Sequence, residues 1–291
     1  MLKILSFKSH CVAASLAMML VASCVYRAEA GALIAAGTDA DDHGSVFGGV
    51  NQDGWFFMQR SLENIAPSVT NGSKKVVTLG STGGDAFAAA SSAFNLSTLP
   101  GLGWTLASVD TVAGINSFFG GVGAHTVGNT GIFMVDSSAV NVLGGIDALE
   151  DAALTSNAIG INNFLGAGGA AFTQSHSYGW LSTLVPGLTT TNFGFGGISG
   201  GLSLTPVGTA AFPGLTNADL SAGPFHNTFG GSLGLLSVFA TSNSLTGNPP
   251  VILGISGGSV TNPNPIPEPS SFVVWSLIAT ATLVRRNRSR S

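Results

Sequence analysis

Three stretches of the chain carry residue types that do chemistry. Asp39-Ala40-Asp41-Asp42-His43-Gly44 gathers three carboxylates and an imidazole in a few residues. Its oxygens suit a hard cation such as Ca²⁺, which is held by carboxylates and carbonyls. A calcium loop of the helix–loop–helix kind would need a bidentate glutamate where Val50 stands, so that loop type is excluded. An acidic loop on a solvated surface accounts for the same residues. The second stretch is Ser175-His176, which follows the apolar run Ala170 to Thr173 and so falls at a strand end, where open α/β sheets place their ligands. A serine nucleophile needs a base and an orienting acid within hydrogen-bond reach. His43, His125 and His226 are the available bases, and Asp136 the available acid. Adjacent Ser and His point different ways from an extended chain, so Ser175 and His176 are not themselves a dyad. A polar turn that satisfies its own backbone is the plainer account. The third stretch, Gly80-Ser81-Thr82-Gly83-Gly84, lacks the lysine of a phosphate loop, and Asp85 would repel an anion; a tight turn between strand and helix explains it.

The elements that must position these residues are legible in hydrophobic periodicity. Short, continuously apolar segments predict strands at Ala32–Ala36, Lys75–Leu79, Trp104–Val109, Gly131–Val135 and Ala170–Thr173. Between them, helical spacing predicts helices over 54–66, 85–94 (with Asp85 as its cap), 112–119, one long helix over 146–165, and 178–184. Residues 193–231 are glycine-rich and poorly periodic, an excursion or hairpin, before strands at Leu235–Ala240 and Val251–Ile255. Strands apolar on both sides and alternating with helices imply a mostly parallel sheet covered on both faces. The expected fold is α/β, a single doubly wound, mostly parallel sheet domain of flavodoxin-like or amidotransferase-like type over residues 31–262.

Both extremities are apolar. Lys3 and Lys8 precede an apolar stretch from Cys11 to Val25 and then Ala28-Glu29-Ala30, the order of a signal peptide over residues 1–30. Val21-Ala22-Ser23-Cys24 offers the alternative of lipidation at Cys24. At the other end, alternate prolines over Pro263–Pro269 form a stiff spacer. The apolar run Phe272–Val284 follows, and arginines at 285, 286, 288 and 290 close the chain. The run is short of the roughly 20 residues that span a bilayer unaided, and the arginines orient it towards the cytoplasm. Removing both ends leaves Arg60, Lys74 and Lys75 as the basic residues of the body, against twelve acidic ones, a charge near −9. Nucleic acid and anionic membrane surfaces are excluded as partners of such a body. Cys11 and Cys24 both fall within the leader, so the body has no disulfide, thiol nucleophile or thiolate ligand.

Pro267-Glu268-Pro269, a short hydrophobic segment and then Arg285 and Arg286, in that order, resemble the PEP-CTERM sorting signal of Gram-negative bacteria. The resemblance covers residues 263–291. It implies export past signal peptidase, transient residence in the inner membrane, recognition by an exosortase, removal of the tail, and delivery to the cell surface or an exopolysaccharide matrix. More distantly, residues 74–255 resemble the class I glutamine amidotransferase-like superfamily in strand order and in the helix before Ala171-Phe172-Thr173-Gln174. Members of that superfamily carry a cysteine on the turn after such a strand. Here the turn reads Gln174-Ser175-His176-Ser177, so amidotransferase chemistry does not carry over. The readings left are a non-catalytic binding or structural module and, alternatively, a secreted hydrolase or amidotransferase-like enzyme using Ser175 and a histidine.

Overall fold

In a computed structural model that describes residues 32–174 and 177–255, the apolar segments become the strands of one eight-stranded sheet. In chain order the elements are β1 (Leu33–Ala36), a small hairpin of β2 (Gly44–Phe47) and β3 (Val50–Gln52), α1 (Asp53–Ile65), β4 (Lys75–Leu79), α2 (Gly84–Asn95), β5 (Thr105–Val109), α3 (Thr111–Phe119) and β6 (Ile132–Val135). Two short helices, α4 (Ala148–Ser156) and α5 (Ala158–Gly166), lead to β7 (Ala170–Thr173) and α6 (Gly179–Leu184). The glycine-rich region then gives β8 (Leu188–Asn192), β9 (Ile198–Ser199), β10 (Leu202–Leu204), α7 (Pro206–Ala211), α8 (Asn217–Leu220), β11 (Pro224–Phe225) and β12 (Asn227–Gly231). The last strands described are β13 (Ser237–Ser242) and β14 (Pro250–Ile255).

The sheet order is β10-β13-β14-β1-β7-β6-β4-β5. From β1 to β5 every pairing is parallel, and from β1 to β10 every pairing is antiparallel. The fold is therefore α/β with a mixed sheet that is parallel in its larger part. Alternation along the central strands feeds two cores, because successive side chains point to opposite faces. Ile34 and Ala36 of β1 pack with Phe57, Met58 and Leu62 of α1 and Ala90 and Phe94 of α2. Leu33 and Ala35 pack on the other face with Ile115 of α3, Leu154 of α4, Ile161 of α5 and Trp180 of α6. Phe57 anchors α1 by edge-on contacts with Phe172 (5.6 Å) and Phe212 (5.3 Å), aromatic geometry that adds to simple burial.

Three local expectations are corrected. The helix expected over 146–165 is two, because Asn157 leaves helical geometry (φ −98°, ψ 15°) and its amide bonds back to the Ala153 carbonyl at 2.8 Å. Asparagine offers the backbone this alternative wherever it sits inside a helical pattern. Asp85 does not cap α2: Gly83 holds that position, and Asp85 lies in the first turn, where its charge suits the helix dipole. The excursion over 193–231 is not unstructured but contains β9 to β12 and two short helices, and its last strand, β12, pairs antiparallel with β8 just ahead of it. Among the described residues no helix is long and apolar enough to cross a membrane. Residues 1–30, Cys24, Ser175, His176 and the whole of 263–291 lie outside the described residues.

Candidate functional site

The C-terminal ends of β1, β7, β6 and β4 lie side by side, and the residues that follow them converge. After β1 comes Gly37, whose N–H donates to the Val251 carbonyl (2.8 Å) and whose own carbonyl accepts from His226 N (2.7 Å) and Asn227 N (3.1 Å). That clasp brings the start of β12 against the end of β1. It also sets His226, distant in sequence, beside Asp39: Nε2 lies 2.9 Å from Asp39 Oδ2, and Nδ1 lies 2.8 Å from the Gly194 carbonyl. Two residues further, Asp41 turns inward and its Oδ2 accepts from Ser137 N at 2.8 Å, just past the end of β6. Asp136, the first residue past β6, accepts from Ser81 Oγ at 2.5 Å, and Ser81 follows β4. From the end of β7, Gln174 accepts the Ala40 N–H at 2.8 Å through Oε1, tying that strand to the acidic loop.

The reading of Asp39 and Asp41 as part of a solvated acidic loop is thereby overturned, since they are only 2% and 1% exposed. Asp42 and His43, by contrast, keep side-chain exposures of 39% and 34%. Sequence patterning missed this because buried aspartates are rare, and three in one loop read as surface. His125 is not brought to the site, because it sits in the connection leading into the opposite end of β6. Among the described residues Asp136 bonds to Ser81, and it is Asp39 that meets a histidine, His226. Ser81, Ser137 and Gln174 belong to the cluster and carried no sequence signal beyond their place after strands.

The electrostatics follow from burial and pairing. Burial pushes the Asp39 carboxyl up, but hydrogen bonds from His226 and His43 outweigh it and hold the group below the ordinary carboxylate value. Burial pulls His226 down, and Asp39 together with the Gly194 carbonyl more than reverses that, so its imidazolium is favoured. Bonding to Asp39 likewise raises His43. For Asp41, burial, opposed by the Ser137 bonds and helped by the charge of Asp39, pushes the carboxyl up to about 6. Asp136 goes further, to about 8, through burial and the charge of Asp41 against the single bond from Ser81. Oδ1 of Asp39, Asp41 and Asp136 and Nε2 of Gln174 have no hydrogen-bond partner among the described residues.

Beyond Ser81 opens a cleft of about 750 Å³, lined by Thr82, Asp110, Thr111, Asp147 and Glu150 among others. Thr111 stands at φ +71°, a conformation that a β-branched residue adopts only under constraint. Its N–H is gripped at 2.8 Å by both Asp110 Oδ1 and Glu150 Oε1. Trp104 and Trp180 are buried at 8% and 0% exposure, and Trp55 spends its indole N–H on the Asp41 carbonyl at 2.9 Å. The chain matches no family model, no curated protein and no solved structure.

Proposed function

We propose that the chain is an exported surface or matrix protein of a Gram-negative bacterium, sorted through a PEP-CTERM and exosortase system, whose body is a non-catalytic binding module. The observation that carries this reading is the ordered tail, with Pro267-Glu268-Pro269, then the apolar run, then Arg285 and Arg286. The leader, the cysteine-free acidic body and the absence of a basic face agree with it. For the body, an amidotransferase-like arrangement of the parallel strands is the finer fold reading, with the binding face at their C-terminal ends. The cleft beside Ser81 is rich in hydroxyls and carboxylate acceptors, which suits a polyhydroxylated ligand such as an exopolysaccharide.

The Asp39–His226 pair is the observation that favours the alternative, a secreted hydrolase with Ser175. It is a poor base, however. Nδ1 faces a carbonyl and must carry a proton, and the favoured imidazolium places another on Nε2 against Asp39. Neither nitrogen then has a lone pair for a serine hydroxyl.

Mass spectrometry of surface-extracted protein from the native host decides the sorting reading. The expected product starts near Gly31 and lacks Phe272 to Ser291. An intact tail on surface protein would overturn processing. Hydrolysis of an ester, amide or glycoside that is lost in Ser175→Ala would replace the binding-module reading by the enzymatic one.

A further inference from the structure

Around the end of β1, oxygen and nitrogen donors approach one another as ligands of a common ion do. Asp39 Oδ2 lies 3.5 Å and Asp42 Oδ2 3.6 Å from His43 Nε2, and one ligand atom from each of the three residues falls within 4.8 Å of the others. A tetrahedral ion with bonds of roughly 2.0–2.1 Å spaces its donors about 3.4 Å apart. Charged hydrogen bonds run to about 2.8 Å, so the two contacts are long for hydrogen bonds and near the edge length of a coordination shell, one that a bound ion would draw together. Two observations outside that triangle point the same way. A cavity of about 10 Å³, room for one water or one ion, is lined by Asp39 and His43 of the three, with Asp219 and Gly223 among its other walls; Asp42 is not a lining residue. Asp39, which lines it, is 2% exposed, yet its Oδ1 has no hydrogen-bond partner among the described residues, while Oδ2 faces two histidines.

We propose that Asp39, Asp42 and His43 bind a divalent cation of borderline character, with Zn²⁺ the best fit. Ca²⁺ takes oxygen ligands, whereas a site that includes an imidazole suits zinc and its neighbours. Asp41 is not in the set, because its carboxylate is turned to Ser137. His226 acts as the positioning residue that holds Asp39. Gly223 fixes the His43 ring by close approach, since a Cβ there would lie 2.4 Å from His43 Cγ. Three protein donors leave a fourth tetrahedral position for water or a ligand, as sites that act on a ligand do and structural zinc sites do not. The inference does not depend on how the chain is exported.

The test uses the tag-free full chain stripped with chelator and titrated calorimetrically with Zn²⁺, then with Co²⁺ under visible absorption, then with Ca²⁺. One Zn²⁺ per chain is expected, with a tetrahedral Co²⁺ spectrum and Ca²⁺ at least about 100-fold weaker. His43→Ala and Asp42→Asn, both at partly exposed side chains, should each weaken Zn²⁺ at least about tenfold while the circular dichroism is unchanged. Gly223→Ala should weaken it too, by displacing the ring. No saturable Zn²⁺ binding, binding unchanged in both His43→Ala and Asp42→Asn, or Ca²⁺ as tight as Zn²⁺ would each overturn the proposal.

Discussion

Asp136 and Asp41 hold protons in the folded state that the unfolded chain has already released, because both are buried and each lies near another carboxylate. Wherever the native state binds more protons than the unfolded one, stability falls as pH rises. For Asp41 that window runs from 3.8 to about 6, and for Asp136 from 3.8 to about 8. His226 adds to the same slope: its raised value gives a contribution complete below 6.5 and lost as pH climbs through the folded value. Asp39 opposes it only in acid, where protonation below its ordinary 3.8 removes the ion pair. Stability in chelator should therefore peak on the acid side of neutrality, and the melting temperature at about pH 5 should exceed that at about pH 8.5. Asp136→Asn keeps an acceptor for Ser81 and deletes the titration, so its profile between about pH 6 and 8 should flatten by at least about 1 kcal/mol, or roughly 2–4 °C. A wild-type profile that rises across this range, or an Asn variant with the parental slope, would show that these carboxyls titrate normally.

At the level of elements, most of the sheet was legible, β13 and β14 included; the antiparallel pairing beyond β1 and the edge strand β10 were not. Strands such as Lys75–Leu79 are apolar throughout because both faces are covered, and that pattern survives without tertiary context. Asn157 was invisible as a break, because the apolar spacing of Ile146 to Leu165 continues through it and only the side chain's bond to Ala153 ends the helix. The acidic loop failed for a different reason. What buries Asp39 is His226, delivered by a poorly periodic excursion whose docking depends on one glycine. Gly37 has no room for a side chain, since a Cβ there would lie 2.0 Å from the Asn227 carbonyl oxygen. Gly37→Ala should thus pry β12 from β1, at about 2–3 kcal/mol or more, and loosen the Asp39–His226 pair with it. Gly101→Ala is the matched control: nothing lies within 4 Å of its added Cβ, and its effect should be within about 0.5 kcal/mol. Denaturant midpoints for the pair would separate steric conflict from any general cost of replacing glycine; equal values would remove the clasp from the account.

For the whole molecule, the distribution of charge makes the body and the tail opposite in their behaviour at a membrane. Between the two extremities, twelve acidic side chains outnumber three basic ones, so an anionic bilayer repels the body. On the proposed sorting reading, four arginines following an apolar run reverse that at the C-terminus, each expected to add about 1 kcal/mol near an anionic surface. Among the exposed apolar side chains of the described residues, those of one hairpin compete with this division. The β2–β3 hairpin exposes Val46 and Val50 by 46% and 53%, and Phe47 at its tip by 79%, enough apolar surface to touch an interface. Repulsion should win, because three apolar side chains on a flat tip bury far less area than a segment of thirteen residues. Sedimentation with vesicles of mixed zwitterionic and anionic lipid at about 150 mM salt puts the two against each other. A chain of residues 31–291 should pellet, and one of residues 31–261 should stay in solution. Pelleting of the shortened chain, abolished by Phe47→Ser, would move the membrane contact from the tail to the hairpin and make the body itself the anchor.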